Sequence, residues 1–74
     1  MSTTQFDPDY VFTHHAPTPE KLHHYDAIHA GAKQFARVIL ENTPAGDDQT
    51  AALRLLREAA MIANAAVALD GRLK

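Results

Sequence analysis

The stretch Leu53–Leu69, LRLLREAAMIANAAVAL, decides how this chain folds. Two apolar stripes run along it side by side. Leu53, Leu56, Ala60, Ala63 and Val67 form one; Ala52, Leu55, Ala59, Ile62, Ala66 and Leu69 form the other. Spacings of three and four are helical. A helix packed on one antiparallel neighbour needs one stripe, so two stripes describe a helix buried on two sides. A chain of 74 residues has little left to cover the second side, and another copy of the chain is expected there. Alanines at 59, 60, 63, 65, 66 and 68 let backbones approach closely. The apolar surface is interrupted by Arg54, Arg57, Glu58 and Asn64. A polar group on a subunit seam is a register device or part of a ligand site.

Outward from this helix, proline and glycine punctuate the chain. Gly71 is a C-terminal stop. Asn42-Thr43-Pro44-Ala45-Gly46 breaks the preceding helix, and Asp47 or Asp48 caps the next one. Thr18-Pro19-Glu20 combines a hydroxyl cap, a first-turn proline and an acid, which starts a helix. Its apolar face is Leu22, Tyr25, Ala32, Phe35, Ala36 and Ile39, with Ile28 beside them. Asp7-Pro8-Asp9 caps one short turn carrying Tyr10, Val11 and Phe12. Thr13 to Pro17 is a connector, since Pro17 disfavours helix at Ala16. The fold expected is all-α: an antiparallel two-helix hairpin, preceded by a short N-terminal helical turn, assembled into a homo-oligomer. Residues 1–74 form one domain, with a disordered tail over 1–6, a short helix over 8–13 and long helices over 19–41 and 48–70. Each long helix spans about 35 Å.

Composition narrows the function classes. There is no cysteine, so disulfides and thiolate zinc sites are excluded. A small hairpin without them depends on association. The net charge of −2 argues against duplex nucleic-acid binding, which needs a basic face. No apolar run reaches the roughly 20 residues of a membrane span, and MSTTQFDPDY lacks the order of a signal peptide.

Tyr25, His29, Lys33 and Arg37 lie four apart on one row of the first long helix. An aromatic ring, an imidazole and two cations suit a ligand with bases and phosphates. The plainer alternative is that Tyr25 belongs to the core and Lys33 and Arg37 to a solvated face, as isolated cations on helices usually do. Five histidines, at 14, 15, 23, 24 and 29, raise a metal site, but none has a histidine partner at i and i+4. Arg54 and Glu58 make an ordinary i, i+4 pair. Arg57 is then the freer cation, with Asn64 two turns along its face. These are either a surface arginine and a polar neighbour, or donors at a symmetric seam that multiply around an anion. No nucleophile–base pair, convergent carboxylates or glycine-rich phosphate loop is present, so no enzyme, cofactor or metal is expected.

The assembled motifs resemble one family. Tyr10-x-Phe12-x-His14-His15-x-Pro17, Tyr25-x-x-Ile28-x-x-x-Ala32-Lys33, Pro44 and Ala52-Leu53-x-x-Leu56-Arg57-Glu58-Ala59-x-Met61-x-Ala63-Asn64-Ala65 follow in the same order. They are similar to the phage anti-CBASS cyclic-oligonucleotide sponges, small helical hairpins that sequester a bacterial defence signal without cleaving it. The resemblance covers residues 10 to 69, and its REAxMxANA block is the most specific piece. It implies a homohexamer in the cytoplasm of the infected bacterial host. It also implies a cyclic-dinucleotide pocket between protomers and a cyclic-trinucleotide pocket where three protomers meet. Tyr10 is the implied stacking residue and Lys33 the phosphate contact, with Tyr25, His29 and Arg37 as further dinucleotide candidates. Arg57 and Asn64 are the trinucleotide candidates. The chain departs from the family where His29 and Leu69 replace arginine and Ile62 replaces an aromatic. Arg72 is the candidate to supply the cation lost at Leu69, and His29 would make its contact depend on pH. The competing reading is a structural or regulatory hairpin that docks onto a host or phage protein through its apolar face.

Overall fold

Three α-helices follow one another, α1 Pro8–Phe12, α2 Pro19–Asn42 and α3 Asp47–Ala68, in a computed structural model that describes residues 6–72. Local chemistry sets most of these boundaries. The Asp7 carboxylate caps α1, accepting from the Asp9 N–H at 3.0 Å and the Tyr10 N–H at 3.4 Å. α1 stops at Phe12, one residue short of the expected 8–13, because Thr13 turns extended (φ −81°, ψ 144°). Thr18 Oγ1 caps α2 by accepting from the Lys21 N–H at 3.2 Å, with Pro19 in the first turn. At the far end Pro44 holds Thr43 extended. Asn42 Nδ2 donates to the Val38 carbonyl at 2.8 Å and Thr43 Oγ1 to the Ile39 carbonyl at 2.7 Å, so side chains satisfy the last turn. Gln49 Nε2 then ties the connection by donating to the Thr43 carbonyl at 3.1 Å.

Two boundaries of α3 differ from the sequence reading. Gly46, not Asp47 or Asp48, occupies the cap, and it supplies no side-chain bond. Both aspartates already lie in the first turn, where their carboxylates meet the positive end of the helix dipole. The helix also ends at Ala68 rather than at residue 70. Asp70 and Gly71 take left-handed backbone (φ 54° and 72°), and the Gly71 N–H donates to the Ala66 carbonyl at 2.9 Å. The left-handed turn satisfies carbonyls that two more helical residues would have moved on.

The short connection makes α2 and α3 antiparallel neighbours. The stripe Leu53, Leu56, Ala60, Ala63, Val67 is half-buried along its length, facing half-buried Tyr25, Ile28, Ala32, Ala36 and Ile39 of α2. The second stripe faces solvent through its middle: Leu55 is 61% and Ile62 70% exposed. Leu22 and Phe35, placed by their period on the apolar face of α2, are also exposed. No described residue is fully buried. The radius of gyration is 15.7 Å, against about 11 Å for a compact chain of this length. With extents of 46 × 34 × 17 Å, the single chain is a plate one helix layer thick, wet on both faces.

α1 is tethered to the hairpin through Tyr10, whose hydroxyl donates to the Leu69 carbonyl at 2.8 Å. Phe6 packs against Phe12 with ring centroids 6.0 Å apart, so it is not part of a contact-free tail. Residues 1–5 of the expected tail lie outside the described residues.

Candidate ligand-binding site

Residues spaced three and four apart on α2 and on α3 face each other across the seam between the helices. His29 and Lys33 come from α2, and Arg57, Met61 and Asn64 from α3. Together with Ala32, Ala36, Leu53, Leu56 and Ala60 they line a groove of about 440 Å³. Its floor is aliphatic and its rim holds two cations, an imidazole and an amide, with no carboxylate among the lining residues. Among the described residues neither Lys33 nor Arg57 enters a salt bridge; the ion pairs there are Arg54–Glu58 at 4.0 Å and Lys21–Asp70 at 3.4 Å. Their charge is therefore available to an anion.

His29 and Asn64 bridge the two helices. The Asn64 side-chain amide and His29 Nε2 meet at 3.3 Å, with the direction of the hydrogen bond set by the imidazole tautomer. Asn64 Oδ1 is buried and has no partner. An orphaned buried acceptor costs about 1–3 kcal/mol. A second groove of about 650 Å³ continues past this pair, adding Leu22, Tyr25, Asp26, Ala65 and Ala68. Tyr25 is half-buried in its wall, so the aromatic of the α2 row sits beside His29 and Asn64.

The remaining candidates lie elsewhere. Arg37 is exposed and lines neither groove. Tyr10 and Arg72 meet at the far end of the hairpin, with the Arg72 guanidinium carbon 4.4 Å from the Tyr10 ring centre. The structure thus brings His29, Lys33, Arg57 and Asn64 together within one chain, although the resemblance divides them between two pockets. Two residues went unmarked in the sequence: Met61, which lines the groove, and Lys21, which donates to the Ala68 carbonyl at 3.2 Å and pins the end of α3. Met61 was legible as the residue between Arg57 and Asn64 on a helical row. For Lys21 no local signal existed.

A family model described as Acb2/Tad1, hairpin domain, matches residues 7–68. The chain belongs to the Acb2/Tad1 hairpin family. This family is associated with sequestering cyclic oligonucleotides in anti-CBASS defence, and its members bind their ligands rather than transform them. No curated protein and no solved structure matches the chain significantly. Among the described residues no helix is long and apolar enough to cross a membrane. The hairpin named by the family is the α2–α3 pair, and the family match spans both rows of the groove.

Proposed function

We propose that this protein is a cyclic-oligonucleotide sponge that binds cyclic di- and trinucleotides, leaves them intact, and so keeps a CBASS effector from being activated in the infected host's cytoplasm. One observation carries the reading. A member of a sequestering family holds two cations without a salt bridge among the described residues, an imidazole and an amide around an aliphatic groove lined by no carboxylate. Lys33 takes phosphate oxygens, Tyr10 and Tyr25 offer ring faces to bases, and His29 and Arg37 complete the dinucleotide set. Arg57, Asn64 and Arg72 serve the trinucleotide.

The acting form is a closed homo-oligomer, most simply a hexamer. The exposed stripe with Leu55 and Ile62 and the plate-like shape support association. The same exposed stripe favours the second reading, a hairpin that docks onto another protein. Calorimetric titration with a panel of cyclic di- and trinucleotides separates the two. Stoichiometric binding, with intact nucleotide recovered after heating the complex, supports the sponge. A panel without binding, or linear products that grow with time, ends it.

A further inference from the structure

Tyr10 and Arg72 stand near opposite ends of the chain, yet the guanidinium carbon lies 4.4 Å from the ring centre. Other contacts hold the ring without Arg72. The Tyr10 hydroxyl donates to the Leu69 carbonyl at 2.8 Å, His15 meets the ring edge-on at 4.7 Å, and His15 Nε2 donates to the Tyr10 carbonyl at 2.6 Å. The turn that delivers Arg72 is held as well. The Arg72 N–H donates to the Leu69 carbonyl at 3.0 Å, and Lys21 Nζ donates to the Ala68 carbonyl at 3.2 Å and to Asp70 Oδ2 at 3.4 Å. Backbone and ring therefore stay fixed if the guanidinium leaves.

We propose that Arg72 is a self-ligand: its guanidinium holds the Tyr10 ring face that an incoming base takes, so the chain's own terminal turn competes with the cyclic nucleotide. This rests on the reading of Tyr10 as a base-stacking residue. A cation and a nucleobase are alternative occupants of one π-face. An exposed cation–π contact favours occupancy by roughly two- to fivefold, and base stacking by roughly five- to 150-fold. The base therefore displaces Arg72, and binding is weaker by roughly the two- to fivefold that the guanidinium contact was worth. The sign is diagnostic. Removing a cation ordinarily weakens an anionic ligand, whereas removing a self-ligand tightens it.

The test is calorimetric titration of the full chain with cyclic di-AMP in about 0.5 M salt, where the Debye length is about 4 Å and general charge effects are screened. The proteins compared are the parent, Arg72→Gln, Arg72→Lys and Tyr10→Ala, each checked for helicity. The chain has two tyrosines and no tryptophan. In a Tyr25→Phe background without ligand, acrylamide quenching of tyrosine fluorescence therefore reports on Tyr10. Arg72→Gln should bind roughly two- to fivefold more tightly and be quenched more, while Arg72→Lys stays near the parent in both. Unchanged or weaker binding by Arg72→Gln, or unchanged quenching, overturns the self-ligand; if Tyr10→Ala still weakens binding, the stacking reading survives. Tyr10→Ala without effect on binding overturns both.

Discussion

Asn64 sits where α2 and α3 meet, and its Oδ1 is buried without a partner while Nδ2 reaches His29. Asn64→Leu removes the stranded atom and fills a similar volume, so unfolding by urea should show stability retained or raised by about 1 kcal/mol. Trinucleotide binding should fall in the same variant. A loss of stability with binding unchanged would assign Asn64 to structure. Lys33 and Arg57 are the other residues of the groove rim to test, because neither enters a salt bridge among the described residues. A charged hydrogen bond is worth about 1.5–3 kcal/mol. Lys33→Ala should weaken cyclic dinucleotides, and Arg57→Ala trinucleotides, by about ten- to hundredfold with helicity unchanged. Titration of both variants with both ligand classes checks this. Full affinity for every ligand in both variants would mean that the pocket lies elsewhere.

At the scale of the element, two glycines in the turns predict effects of opposite sign. Gly46 caps α3 with extended backbone and no side-chain bond, and a Cβ there meets nothing within 4 Å. Gly46→Ser adds a hydroxyl acceptor for the first turn and should stabilise the protein by a few tenths of a kcal/mol. Gly71 also has open space around it, but its φ of +72° strains any other residue. Gly71→Ala should therefore destabilise by about 1 kcal/mol, from backbone conformation and not from packing. Melting midpoints measured side by side should move in opposite directions. A shared sign would mean that the helix ends are not built as described.

For the whole molecule the uncovered stripe of α3 is decisive. Ile62 is 70% exposed in the single chain, so Ile62→Glu disturbs little within the hairpin. Ala63 is half-buried against α2, so a charge there would also damage the hairpin itself. In an assembly that covers the second stripe, the carboxylate introduced by Ile62→Glu would be a buried unpaired charge costing several kcal/mol. Light scattering should show the parent as an oligomer and Ile62→Glu as a smaller, still helical species, with ligand binding lost alongside. A parent that is monomeric and well folded would sink the closed assembly.

Helix identity was legible in local sequence, because caps, prolines and the three-four period act within a turn or two. Thr18-Pro19-Glu20 starts a helix wherever it is placed, and Pro44 stops one. The period also supplied both stripes of α3, but not which one faces α2. That choice depends on packing: the Leu53–Val67 stripe is covered and the Leu55–Ile62 side is not. The site divides the same way. Residue types and the i, i+4 row on α2 marked Lys33 and His29 as chemistry, Arg57 and Asn64 stood out as polar breaks in the apolar surface of α3, and the resemblance added only their trinucleotide role. Only the helix–helix register set Asn64 against His29, since a shift of one turn would put a different pair across the seam. Likewise, the chain by itself specified a left-handed glycine turn after α3, while the tertiary fold alone laid Arg72 over Tyr10, because that contact depends on where two distant helix ends meet.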